Sequence, residues 1–173
     1  LDLIISSLFL KNTHFWNNEH KKNLYWRISS KIYHHDLMPN VDVDEKWGRH
    51  EKKLITNSIG FRDIEIRKIK KINKAQHRVI LMGDSFIEGT GYDYEYTLAG
   101  LLANYLGDNF EVLNSGVQSY SPSIYYHKFK HYLSLGYKFD EALIFLDVSD
   151  IYDEKFIKLD DNKQIVSPEK KEK

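Results

Sequence analysis

Arg78-Val-Ile-Leu-Met-Gly-Asp-Ser-Phe-Ile-Glu-Gly-Thr-Gly91 is the stretch whose reading decides the fold. Val79, Ile80, Leu81 and Met82 form an unbroken apolar run, as a strand covered on both faces does. Gly83 ends the run and lets the backbone turn sharply, while Gly89 and Gly91 are expected to keep bulk away from Ser85. A serine at the carboxyl end of a parallel strand faces the crevice where open α/β sheets bind ligands, which is a suitable place for a nucleophile. The plainer reading of the same residues is a strand-to-helix turn with an ordinary polar residue at the helix N-cap.

From about residue 75 onward the sequence alternates strand and helix, the pattern of a parallel sheet with covering helices. Strands are expected over Arg78–Met82, Phe110–Asn114 and Glu141–Leu146, the last again continuous and apolar. A helix is expected near Thr97–Leu106, with Leu98, Leu101, Leu102, Tyr105 and Leu106 on its buried face and Gly107 as its stop. A second starts at the Ser121-Pro122 cap and runs to about Leu135 before Gly136. After Glu154 the sequence becomes Lys/Asp-rich, with a weak strand signal at Gln164-Ile-Val166.

The 1–74 region shows few periodic elements and is expected to be an irregular N-terminal extension, with a turn at Pro39-Asn40. Residues 75–155 form the α/β core of this reading, and 156–173 a polar tail or the start of a further region. Trp16, Trp26 and Trp47 read as local packing anchors.

Size and composition suit one domain: 173 residues can bury an adequate core. Lys+Arg and Asp+Glu both number 25, so no net charge draws the chain toward nucleic acid, and the Lys-rich Glu169–Lys173 reads as a solvated end. The absence of cysteine excludes disulfides and thiolate zinc sites. The 12 tyrosines suit packing and sugar contacts. Leu1-Asp-Leu-Ile-Ile-Ser-Ser-Leu-Phe-Leu10 is apolar but shorter than the roughly 20 residues a membrane span needs. It reads either as the last turns of a removed anchor or signal segment, placing membrane anchoring upstream of Leu1, or as a short helix packed on the domain.

Three strands deliver three polar clusters to one sheet edge: Ser85, then Asn114-Ser-Gly-Val-Gln-Ser-Tyr120, then Asp147-Val-Ser-Asp150. Acyl transfer through a tetrahedral intermediate needs a nucleophile and donors aimed at the developing oxyanion. The backbone N–H groups of Ser85 and Gly116 are candidates for two of those donors. Asp147 and Asp150 alone read as a solvated strand end or a weak cation site, for which spacing places no third ligand. Gly89-Thr-Gly91 is neither a phosphate loop nor a dinucleotide fingerprint.

Gly83-Asp84-Ser85-Phe86-Ile87-Glu88-Gly89 resembles the first block of the SGNH (GDSL-type) hydrolases, and the resemblance covers roughly residues 54 to 154. Thr56-Asn-Ser-Ile-Gly-Phe-Arg-Asp63 is similar to the lead-in of SGNH-like proteins of bacterial envelope glycan acetylation. It reads equally as a turn at Gly60 with Phe61 buried and Arg62 paired to an acid. The resemblance implies a flavodoxin-like three-layer sandwich and a serine-dependent ester hydrolase or O-acyltransferase. In it Ser85 is the nucleophile, supported by Gly83 and Asp84, and Gly116 gives an oxyanion N–H. Ser149 stands where the family's third block has asparagine, as an alternative hydroxyl donor, and Asp150 is a structural partner. The implied substrate is a small-molecule or carbohydrate ester with O-acetyl groups, at the cell envelope or periplasm. Neither a cofactor nor a metal is implied, nor any nucleic-acid partner.

A serine nucleophile needs an imidazole base oriented by a carboxylate. In the family both come from a late Asp-x-x-His block, and no histidine follows Asp150 here. His127 and His131 lie on the helix face opposite the expected buried residues Tyr125, Phe129 and Leu133, and His77 lies at the wrong strand end. His14, His34 and His35 reach the site only if the N-terminal segment wraps over it, and the last two are the better placed. No general base is identified. The expectation is that the chain ends before its last strands; the alternative is a glycan- or acyl-binding domain that lost turnover.

Overall fold

The computed structural model describes residues 24–166 apart from 48, 49 and 163. Expectations placed on Leu1–Leu10, His14, Trp16, the Trp47 side chain and Glu169–Lys173 lie outside the described residues. The fold is mixed α/β. In chain order it contains β1 (Arg27–Ser30), β2 (His34–Leu37), β3 (Asp42–Trp47), β4 (His50–Ile55), β5 (His77–Met82) and the short helix α1 (Ser85–Glu88). A 3-10 turn at Tyr94–Tyr96 leads to α2 (Leu98–Leu106), β6 (Phe110–Asn114), α3 (Pro122–Ser134), β7 (Glu141–Ile144) and α4 (Val148–Glu154).

β5, β6 and β7 form a parallel sheet in the order β6-β5-β7. Val79 lies opposite Val112 on one side and Glu141 on the other, so β5, first of the three in sequence, is central. Ile80 and Leu81 are fully buried, as their apolar run requires. All three strand ends therefore point their carboxyl termini to the same edge.

β7 departs from the expectation of a covered strand reaching Leu146. It stops at Ile144, is exposed along its whole length, and has a neighbour only on the β5 side. Leu146, Val148, Ile151 and Tyr152 beyond it are exposed as well. Among the described residues nothing packs outside β7, so its apolar side chains have no layer to enter.

α2 starts at the Thr97 cap, whose hydroxyl accepts the Gly100 N–H, and ends at Gly107 as expected. Its buried face is different: Ala99 and Gly100 are buried with Leu102, Ala103 and Leu106 packed nearby, while Leu98, Leu101 and Tyr105 are exposed. A Cβ on Gly100 would lie 2.1 Å from the Tyr94 carbonyl oxygen, so close approach to the 3-10 turn selects the small-residue face. In α3 the buried residues are Ile124, Tyr125, His127, Lys128 and Tyr132, whereas Leu133 is exposed and Phe129 half-buried. The expected outward position of His127 is thus corrected.

Between Arg27 and Ile55 the N-terminal region is regular, not irregular as expected. β1 pairs with β2 and β3 with β4 as antiparallel hairpins. The Ser30 hydroxyl accepts the Ile32 and Tyr33 N–H groups and so forms the first turn. Trp26, Tyr33, Leu37, Val41 and Leu54 from these hairpins share a core with Ile80, Met82, Leu113 and Ile124. Two ion pairs lock the first hairpin to the sheet layer: Asp36 to Lys128 at 2.8 Å and Arg27 to Glu88 at 2.6 Å. The weak strand signal near Gln164–Val166 appears as one antiparallel bridge, Leu159 to Ile165.

Candidate functional site

Asp84, not Ser85, caps α1: its Oδ1 accepts the Phe86 N–H at 2.9 Å. Ser85 therefore occupies the first helical position, half-buried, with its hydroxyl free of capping. Its one hydrogen-bond partner among the described residues is Asp84 Oδ2, at 3.4 Å. Gly83 is required by space, since a Cβ there would lie 2.2 Å from Ile87 Cγ1. Gly89 closes the helix at φ 75°, its N–H donating to the Ser85 carbonyl. A Cβ on Gly89 would strike Thr97 Cγ2 at 2.2 Å, so this glycine admits α2's cap and does not clear room around Ser85.

The third cluster meets the first. Ser149 Oγ lies 3.3 Å from Asp84 Oδ2 and 2.6 Å from Asp147 Oδ1. One hydroxyl carries one proton, and here both neighbours are carboxylates, so Ser149 is turned toward acids instead of toward an incoming oxyanion. Asp147 and Asp150 close a capping box on α4, and Asp150 Oδ1 also accepts the Tyr125 hydroxyl at 2.9 Å. Both Asp150 oxygens are thus engaged, one in the cap and one by Tyr125. Burial raises its carboxyl above the usual range, while the Ser149 hydrogen bonds lower that of Asp147.

Asp84 adds the third carboxylate that sequence spacing did not place. One oxygen each from Asp84, Asp147 and Asp150 lie within 4.8 Å of one another. Each has a capping duty of its own, so local folding accounts for the grouping.

The second cluster corrects the expectation for Gly116. Its N–H donates to Asn114 Oδ1 at 3.1 Å, and the residue is buried beneath α1. A Cβ there would lie 2.7 Å from the Glu88 nitrogen and 2.7 Å from Ile87 Cβ. Gly116 gives α1 room to approach, and its amide is already committed. Further along the same loop, Val117 N–H reaches the Gly83 carbonyl at 3.3 Å and Gln118 N–H reaches the Glu88 carboxylate. Ser119 is exposed at φ 62°, and its N–H makes no hydrogen bond among the described residues.

No histidine hydrogen-bonds Ser85 among the described residues. His77 pairs with Glu141 at the far end of the sheet, as expected. His131 is half-buried, its ring 5.7 Å from that of Tyr33. His35 does reach the second loop, because the β1–β2 hairpin wraps back over it. Its Nε2 lies 2.8 Å from the Gln118 carbonyl and its Nδ1 2.7 Å from His34 Nδ1, leaving neither nitrogen for a serine. Burial lowers the pKa of both rings, which favours neutral imidazoles.

Sequence reading missed the residues that brace this edge. Among the described residues Arg62 pairs with no acid. Its guanidinium donates to the Glu88, Gly89 and Lys53 carbonyls at 2.8, 2.6 and 3.1 Å, and to the Tyr92 carbonyl. It thereby holds the C-terminus of α1. The turn at Gly60 (φ 79°) and the burial of Phe61 are as expected. Asn57 Oδ1 accepts the Ile59 and Phe61 N–H groups to shape that turn. Compared with known proteins, the chain matches no family model, no curated protein and no solved structure.

Proposed function

We propose that this chain is an SGNH-type ester hydrolase or O-acyltransferase with Ser85 as its nucleophile. The observation that carries the reading is the meeting of Ser85 and Ser149, from the ends of β5 and β7, at one oxygen of Asp84. Two further features support it. Ser85 stands at the first helical position with its hydroxyl uncommitted to a cap. The sheet order β6-β5-β7 is that of the first three strands of a flavodoxin-like fold, whose crevice lies at the strand carboxyl ends.

In this reading Ser85 Oγ attacks an ester carbonyl, and the Ser85 N–H stabilises the oxyanion together with an amide of the 116–119 loop. The alkoxide leaves with a proton, and water or a sugar hydroxyl then takes the acyl group from the serine. A general base takes the Ser85 proton during the attack and returns it to the leaving alkoxide. The resemblance of the Asn57–Arg62 lead-in to envelope glycan-acetylation proteins points the substrate class to O-acetylated carbohydrate at the cell envelope.

A second reading is a glycan- or acyl-binding domain of the same fold. It is favoured by the lack of any imidazole against Ser85 among the described residues. A fluorophosphonate probe separates the two. Labelling that disappears in Ser85→Ala requires an activated hydroxyl and supports the hydrolase; a wild-type chain that resists the probe supports the binding domain.

A further inference from the structure

We infer that His35 is a positioning residue, holding the Gln118–Ser119 peptide so that the Ser119 N–H is presented to charge developing at Ser85. The inference rests on the hydrolase reading above and replaces Gly116 as the loop's donor. It begins from peptide geometry. The Gln118 carbonyl and the Ser119 N–H belong to one planar unit, and the chain has no cis peptide bond among the described residues. In a trans peptide these two groups point to opposite sides. His35 Nε2 grips the carbonyl at 2.8 Å, so the N–H is turned away from the hairpin.

The tautomers follow from the partners. A carbonyl oxygen only accepts, so His35 Nε2 carries the proton and its Nδ1 a lone pair. His34 then donates from Nδ1 across the 2.7 Å contact. The His35 ring also packs edge-on to Tyr120, 4.9 Å between centroids, and the Tyr120 hydroxyl donates to the His35 carbonyl at 2.7 Å. The imidazole is thus held from several sides.

The rest of the loop is fixed from the other direction. The Gln118 N–H is bound by the buried carboxylate of Glu88, and the Val117 N–H by the carbonyl of Gly83, two residues before Ser85. Those bonds tie the peptide to the helix that bears Ser85. Ser119 meanwhile is held at φ 62°, a conformation that side-chain-bearing residues rarely adopt. Backbone strain of this kind persists only where the surroundings over-determine it. An exposed, strained residue with an unpartnered amide among the described residues, braced by an imidazole behind and a carboxylate beside it, has the form of a preorganised donor.

The test compares His35→Leu with His35→Gln in the full chain, with thermal unfolding to confirm that each is folded. Glutamine keeps a side-chain N–H for the Gln118 carbonyl and leucine does not. Fluorophosphonate labelling of Ser85 in His35→Leu is expected to slow by about tenfold at saturation, with the half-saturating concentration within about twofold. His35→Gln is expected to recover to within about threefold of wild type. Wild-type labelling in a folded His35→Leu overturns the inference. The Ser119 amide resonance is followed in the same variants and needs no reactivity. It should shift in His35→Leu and return in His35→Gln, and an unmoved resonance overturns the peptide orientation. A wild-type chain that resists labelling while this resonance behaves as expected removes the hydrolase reading and leaves the orientation standing.

Discussion

Arg27 of β1 forks onto Glu88 of α1, Nη2 to Oε1 at 2.6 Å and Nη1 to Oε2 at 3.1 Å, across 61 residues of sequence. The Glu88 side chain is fully buried, and Arg27 also reaches Glu45 at 3.1 Å. Glu88 stands one turn beyond Ser85 and holds the 118 loop as well, so a residue of the N-terminal hairpin braces the candidate site.

Arg27→Met strands a buried carboxylate. Removing one partner of a buried pair costs about 3 kcal/mol, so the urea midpoint should fall accordingly. Arg27→Lys keeps the charge but not the fork and should fall less. A loss below about 1 kcal/mol in Arg27→Met would show that Glu88 is satisfied without Arg27.

Ser85→Ala should leave stability within about 0.5 kcal/mol of wild type, because the hydroxyl caps nothing and is half-buried. The same variant should lose all probe labelling at that position, read by intact mass. Labelling that persists would move the nucleophile elsewhere.

Gly116→Ala places a methyl 2.7 Å from the Glu88 backbone nitrogen, which is main chain and yields little. We expect a loss of about 1–3 kcal/mol, with α1 displaced from the loop and labelling slowed. Unchanged stability would mean that the close approach of helix and loop is absent in solution.

His34, His35 and His131 all titrate below their ordinary value of 6.5, with burial the first cause in each. A base whose folded pKa is depressed is protonated first in the unfolded chain. Through these groups stability is therefore fully present above 6.5 and declines as pH falls toward the folded values. The melting temperature should be flat between about pH 8 and 7 and should fall below about 6.5. His35→Gln should flatten part of that slope. A melting temperature rising on acidification through the same window would contradict the burial of these rings.

The central strand β5, β6 over Phe110–Asn114, and the Ser121-Pro122 start of α3 were legible because short-range patterns decide them. The buried faces of α2 and α3 were not. Lys128 is fully buried because its ammonium meets Asp36 at 2.8 Å, the Ser115 carbonyl at 3.0 Å and the Tyr120 hydroxyl at 3.0 Å. Such partners come from distant sequence and leave no local periodicity. The same holds for Asp84 beside Asp147 and Asp150, and for His35 beside Gln118. The hairpins of the N-terminal region hid behind charged strands such as His50-Glu-Lys-Lys-Leu-Ile55, whose alternation is weak.

The open flank of β7 makes concentration a variable in any work with this chain. Among the described residues β7 has one side unpaired, which offers amide and carbonyl groups to another polypeptide, and Leu143 and Ile144 stand exposed along it. Light scattering across a dilution series should show self-association growing with protein concentration. Kinetic and spectroscopic measurements accordingly belong at the dilute end of that series.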